Sequence, residues 1–297
     1  MEKNWMSTKY LVLFFVLTLA WTWICGFIPV IFGFTETGMG TFIFYFGGGA
    51  PSVVALFLVF LTYPKDNRID YFRRCFSLKQ AGWKWPLITI AVFAALSTVS
   101  IVVGVCLLGF DMPTMDYIRA IVANPLNILL VLLLSLISGP LNEEFGWRGY
   151  ALDRLLVKFG FLKGSLILGF IWAIWHLPWY FTPGQAQYNL LKDSVFHALM
   201  FIPSVMMLSV FVSLVYVKTN RSILAGALVH MFSNLIGSQL LASYTTEISM
   251  LIRYTNMLFF LGVIIYVVHS HKFKVETEAV IESIRQSLHG QDRINSK

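Results

Sequence analysis

Charge is what this chain has least of. Asp, Glu, Lys and Arg make up 12% of its 297 residues, against 57% hydrophobic residues and a mean hydropathy of +0.72. A soluble domain carries about 25% charged residues, so this chain lacks the polar surface that a large soluble helical enzyme needs. It also lacks any long polar stretch from which a second soluble domain could be built. Cysteine is scarce: Cys25, Cys75 and Cys106 show no CxxC spacing. That scatter argues against a disulfide framework or a thiolate metal site and makes them packing residues. There is no HExxH segment and no internal repeat in composition or polar positions, which weighs against a repeat-built transporter. The first apolar stretch has no small-x-small cleavage site and exceeds a signal-peptide core, so it reads as a retained first span.

What is present is apolar sequence in long runs. A helix needs roughly 20 apolar residues to cross the hydrocarbon layer. Runs of that kind occupy residues 10–34, 41–63, 85–110, 126–140, 162–181, 196–217, 223–241 and 250–269. The expected fold class is therefore all-α, a polytopic membrane protein of about eight transmembrane helices. The fourth run is short because charge interrupts it at Glu143. Lys and Arg placement tests the count. With eight spans both termini share one side, and that side receives 19 of the 22 basic residues, leaving Arg119, Lys192 and Arg253 on the other. Cytoplasmic loops collect Lys and Arg, so both termini are expected in the cytoplasm. The net charge of +7 is explained by topology and by attraction to anionic lipid heads, and no nucleic-acid partner is called for.

Between the spans, residues 67–78 mix Ile69, Tyr71, Phe72 and Phe76 with Arg68, Arg73 and Arg74, as expected of a short helix lying at the cytoplasmic interface. After residue 271 the composition turns polar. Val275, Ala279, Ile284 and Leu288 recur at helical spacing, so 272–297 is expected to be a polar tail, either a surface helix or solvated chain. Residues 1–271 then form a single transmembrane domain.

Three spans carry polar groups that a bilayer makes expensive. Ionisable residues at that depth cost at least a few kcal/mol each and face a cavity or one another. The first cluster reads Gly139-Pro140-Leu141-Asn142-Glu143-Glu144-Phe145-Gly146-Trp147-Arg148. Gly139-Pro140 should kink the helix or free backbone groups just ahead of the carboxylates. Glu144 and Arg148 stand four apart on one face, in the favourable acid-before-base order, and read as a structural ion pair. Glu143 lies roughly 100° round the helix, away from that arginine, and a desolvated glutamate without a counter-charge suits general acid–base work. The second cluster places Trp172 and His176 on one face. The third places His230 and Asn234 on one face. By the helical rise, Glu143, His176, His230 and Asn234 lie roughly 14–22 Å along their helices from the basic residues Lys158, Lys163 and Arg221. The four can therefore meet at one depth, which we expect to be reached from the cytoplasm. His197 has no such companions, and His269, His271 and His289 sit at a boundary or in the tail.

At these residues the sequence resembles the CAAX-processing endopeptidase and bacteriocin-processing (abortive-infection-like) family of intramembrane proteases, marked by EExxxR, FxxxH and HxxxN or HxxxD on separate helices. Glu143-Glu144-x-x-x-Arg148 matches the first motif, Trp172-x-x-x-His176 the second with Trp in place of Phe, and His230-x-x-x-Asn234 the third. The resemblance covers about 140–234 of a motif-bearing core at 126–241. It implies an endopeptidase, with a peptide or a lipidated or membrane-anchored protein tail as substrate, in a bacterial plasma membrane. The implied chemistry has Glu143 and His176 deprotonating a water and His230 and Asn234 stabilising the oxyanion, with Glu144, Arg148 and Trp172 in support. A zinc version competes, because Glu143, His176 and His230 make a two-histidine, one-carboxylate set. The absence of HExxH and the weakness of Asn as a zinc ligand favour the version without metal. Two further readings stay open: a transporter, which would string polar residues through both membrane halves, and a non-catalytic bacteriocin-immunity or scaffold protein.

Overall fold

The computed structural model describes residues 6–237 and 246–294, and every regular element among them is helical. Helix α1 (Thr8–Ile31) starts at Ser7, whose hydroxyl accepts the Lys9 N–H at 3.3 Å. Next come α2 (Gly38–Gly48) and α3 (Ala50–Thr62), one apolar run bent by 46° at Gly49. Pro51 causes the bend, since it has no N–H for the carbonyl four residues earlier. That carbonyl, on Gly47, instead accepts the Thr22 hydroxyl of α1 at 2.8 Å.

The same chemistry interrupts the fourth run. Helix α8 (Pro125–Ile137) stops, Gly139 adopts φ −145° and ψ −74°, and α9 (Pro140–Gly146) restarts at Pro140. The break expected at Gly139-Pro140 is therefore present. Beyond α9 the chain widens to a π-helical turn at Trp147–Leu152 before α10 (Asp153–Phe159). Such widened turns recur at functional sites.

Six helical stretches are long and apolar enough to cross a bilayer: α1, α6 (Lys84–Leu107), Pro125–Phe159, Phe161–Phe181, α13 (Val195–Lys218) and α15 (Thr246–His269); the bent α2–α3 pair makes up to seven. The remaining run of the eight expected is α14 (Ile223–Gly237), 15 residues and so about 22 Å long, short of the roughly 30 Å hydrocarbon layer. Residues 238–241 of that run lie outside the described residues. The outer surface confirms the membrane assignment. On α8, Leu126, Ile128, Leu129, Leu130, Leu133, Leu134 and Ile137 are all exposed, an apolar face that water would not tolerate.

The short helix expected at 67–78 is α4 (Lys65–Phe76), but it is packed into the protein rather than merely lying on it. Tyr71 and Cys75 are wholly buried, and the Tyr71 hydroxyl donates to the Phe145 carbonyl at 2.8 Å. Burial pushes the Cys75 thiol up to about 12, so it packs as a neutral side chain, as expected; Cys106 by contrast is exposed. The tail forms α16 (His271–Ile294): of the expected stripe Ile284 is buried, whereas Val275 is 55% exposed and Ala279 is exposed, and Phe273, Thr277 and Ile281 make up the rest of the buried face. Its ring Phe273 meets Phe161 edge-on at 4.8 Å. The side chains of Leu288 and His289 lie outside the described residues.

One end of the bundle gathers the basic segments. Arg74 donates to Asp70 at 2.8 Å and to the Tyr216 hydroxyl at 2.8 Å. Tyr216 donates to Asp153 at 2.8 Å, and Arg221 reaches Asp153 at 2.5 Å. Burial alone would lower the Arg221 pKa; Asp153, with Tyr216 and Asp70, overturns that and raises it. Lys158 reaches the Thr8 hydroxyl at 3.2 Å, Gln80 reaches the Asn220 carbonyl at 2.6 Å, and Lys218 pairs with Glu276. The start of α1, α4, α10, the turn after α13 and the start of α16 are thus bound together.

Candidate active site

Three elements deliver the polar residues. Glu143 and Glu144 sit in the first turns of α9. His176 is the residue at which α11 (Phe161–Trp175) ends, followed by a tight turn at Leu177–Phe181. His230 and Asn234 lie on α14. All four of Glu143, His176, His230 and Asn234 line one cavity of about 730 Å³.

Trp172 joins them. Its indole N–H donates to Glu143 Oε2 at 2.6 Å. Its backbone carbonyl accepts from His176 Nδ1 at 2.9 Å. Its ring meets the His230 ring edge-on at 4.9 Å, and the Arg148 guanidinium lies 4.8 Å from its centroid. A carbonyl oxygen only accepts, so Nδ1 of His176 carries a proton and a neutral ring keeps Nε2 as an acceptor. The His176 ring is wedged between Trp175 at 4.6 Å and Phe201 at 5.2 Å, which fixes its plane.

The two glutamates divide as their helical angle requires. Glu144 is wholly buried and accepts from Arg148 at 2.8 Å, and Arg148 also reaches the Ser209 hydroxyl at 3.4 Å. The same Glu144 oxygen, Oε1, takes the His230 Nδ1–H at 2.8 Å. Glu144 is therefore more than a partner for Arg148; it orients the histidine of the third motif. Glu143 turns the other way, to Trp172, and Gly139 leaves room for it, since a Cβ there would stand 3.3 Å from Oε1. Arg148, counted in the sequence among the loop charges, is buried inside this site. His197 stays out of the cluster and pairs with Asp193.

Two residues that sequence reasoning passed over line the same cavity: Arg253 and Asn256 of α15. Arg253 was legible only as one of three basic residues outside the main group. Among the described residues no three His, Cys, Asp or Glu side chains come together as a group that could hold a metal ion; the Nδ1 atoms of His230 and His176 are taken by Glu144 and by the Trp172 carbonyl, and neither bond uses Nε2.

The type II CAAX prenyl endopeptidase (Rce1-like) family model matches residues 125–236, a range containing all three motifs. The CAAX prenyl protease 2 of Methanococcus maripaludis is 26% identical over 238 residues, which cover 80% of this chain and 87% of that protein. The chain is thus similar to this family of proteases over the range that holds its motifs, and to that relative over most of its length. Its long apolar helices make it an integral membrane protein, and these similarities support an endopeptidase activity. The family's aromatic position before the second-motif histidine is usually Phe, so the indole hydrogen bond to Glu143 is a feature of this chain that a phenyl ring cannot supply.

Proposed function

We propose that this protein hydrolyses a peptide bond inside the membrane, using a water held between Glu143 and His176. The observation that carries this is the convergence of Glu143, His176, His230 and Asn234 on one cavity. Glu143 accepts a proton from the water while Nε2 of His176 accepts the other hydrogen bond, and the hydroxide adds to the peptide carbonyl. Asn234 donates its amide hydrogens to the oxyanion. His230 donates from Nε2; with Nδ1–H held by Glu144, this requires the doubly protonated ring, whose counter-charge Glu144 provides. Two such donors in a site without bulk water are worth a few kcal/mol of barrier. Glu143 then returns its proton to the leaving nitrogen as the tetrahedral intermediate collapses. Atoms and protons balance without a metal, and the scheme assigns none.

The substrate is a peptide or the tail of a membrane-anchored protein. The name of the Methanococcus maripaludis relative points to prenylated C-terminal tails as one class to test. Peptides from membranes and medium of wild-type cells should include fragments that vanish when Glu143→Ala is expressed at the same level. Undiminished cleavage by that variant would discard the assignment of Glu143.

A further inference from the structure

One arginine on the cavity wall stands apart from the other buried arginines. Arg74 is met by Asp70, Tyr216 and Asp153, Arg148 by Glu144, and Arg221 by Asp153. Arg154 bonds to the Tyr63 hydroxyl at 3.0 Å and lies 3.7 Å from the centre of the Tyr150 ring. Arg253 sits about 10 Å along α15 from its first residue, Thr246, and lines the cavity that holds Glu143 and His176. Its Nε is shielded from solvent and meets no hydrogen-bond acceptor among the described residues. The titratable groups that act on it are the phenols of Tyr180 and Tyr254, not a carboxylate.

Nothing else on the cavity wall neutralises it. The acids there are Glu143, bound to the Trp172 indole, and Asp193, paired with His197. Residues 238–245, between α14 and α15, contain neither Asp nor Glu. Ionised side chains inside a bilayer are expensive and are kept where they meet a partner. Arg253 also has polar company. Thr246, Ser249, Arg253 and Asn256 recur at helical spacing and all line the cavity, so α15 turns a polar stripe to it. Asn256 is buried, and its Oδ1 has no partner among the described residues. A Cβ on Gly237 would stand 3.3 Å from the Asn256 Nδ2, so the stripe abuts the end of α14, the helix that carries His230 and Asn234.

A guanidinium presents a planar fork of N–H donors that fits a carboxylate or a phosphate through two parallel bonds. Of these, the carboxylate is the anion that an unmodified polypeptide carries, at its C-terminus and on Asp and Glu. We propose that Arg253 is a specificity-determining residue that pairs with a carboxylate of the substrate, with the Asn256 amide donating beside it. Polypeptides that bring an acid to this position are selected over neutral ones. The word substrate rests on the protease reading above, whereas binding of the carboxylate needs no turnover. An uncompensated charge in the interior weakens the fold that holds it, and such costs are expected at functional positions.

The test measures binding to the full chain carrying Glu143→Ala, in phosphatidylcholine nanodiscs, so that turnover does not consume the probe. The probe is a fluorescein-labelled peptide, Ser-Cys-Val-Ile-Ala with an S-farnesyl group on its cysteine, as the free acid and as the C-terminal amide. Two further amides carry Glu or Gln in place of Ile. An acid-bearing probe should bind roughly 10–100-fold tighter than its neutral counterpart. Adding Arg253→Gln should abolish that preference while the neutral probes bind as before. A preference for the free acid assigns a terminal carboxylate, and one for Glu over Gln assigns an acidic side chain. Equal binding of acid and neutral probes, binding of none of them, or a preference that survives Arg253→Gln overturns the proposal. Removing an uncompensated charge should also leave the thermal midpoint unchanged or raised. A lowered midpoint would make Arg253 a structural residue and overturn the proposal too. If the preference is found while Glu143→Ala changes no peptide in cells, the protease reading fails and the carboxylate site survives. Peptides that vanish in those cells without any such preference mean the reverse.

Discussion

Trp172 does four jobs from one position, and each is a separate contact. The indole holds Glu143, the carbonyl holds His176, and the ring face and edge meet Arg148 and His230. Helical spacing announced that Trp172 and His176 share a face, yet it could not announce the hydrogen bond to Glu143, which joins positions 29 residues apart. Trp172→Phe keeps a ring and removes the donor. A hydrogen bond to a charged acceptor is worth about 1.5–3 kcal/mol, so kcat should fall roughly 10–100-fold with KM nearly unchanged. Steady-state kinetics on a substrate from the peptide comparison would check this. A rise in KM at constant kcat would mean that the indole only packs.

Among the elements, one close junction supporting the site is α11 against α13. A Cβ on Gly169 would stand 2.6 Å from the Met206 Cα and 2.8 Å from the Ser209 Cβ. Ser209 in turn donates to the Ser165 carbonyl at 3.0 Å. Small residues let membrane helices approach closely enough for such contacts, because lipid offers no hydrophobic drive to association. Gly169→Ala forces backbone apart from backbone, and overpacking of this kind costs about 1–3 kcal/mol. The purified variant should unfold at a lower temperature in detergent than the wild type, with the loss of activity following the loss of fold. An unchanged midpoint would show that α11 shifts freely along α13. The α9 break belongs at this scale as well. Pro140 and Gly139 announced it in the sequence, whereas the π-helical turn that follows carried no signal that spacing could read.

Across the whole molecule, Asp153 is the anchor of the basic end. It is wholly buried between Arg221 and the Tyr216 hydroxyl, and Arg74 stands 3.7 Å away. Removing one partner of a buried ionic group leaves the others uncompensated, at about 3–5 kcal/mol. Asp153→Asn should therefore reduce the yield of monodisperse protein and its unfolding temperature far more than Asp70→Asn, whose carboxylate is 31% exposed. Size-exclusion profiles and thermal midpoints of the two variants make the comparison. Equal behaviour would remove Asp153 from the role of anchor.

By itself the sequence determined that the chain lives in a membrane, where its apolar runs lie, how its basic residues are distributed among the segments between them, and that three helices carry polar residues at related depths. These properties are one-dimensional: hydropathy, charge order and the 3.6-residue repeat are all written along the chain. Only the tertiary structure decided what each face meets. Helical periodicity tells which residues point together but not which neighbour they point at, so the bond between His230 and Glu144, 86 residues apart, was out of reach. So was the docking of one face of α4, whose Arg74 looked like an interfacial charge until Asp153, Tyr216 and Asp70 came to meet it. The direction in which the cavity opens depends on which helix ends stay apart, and that is a property of packing alone.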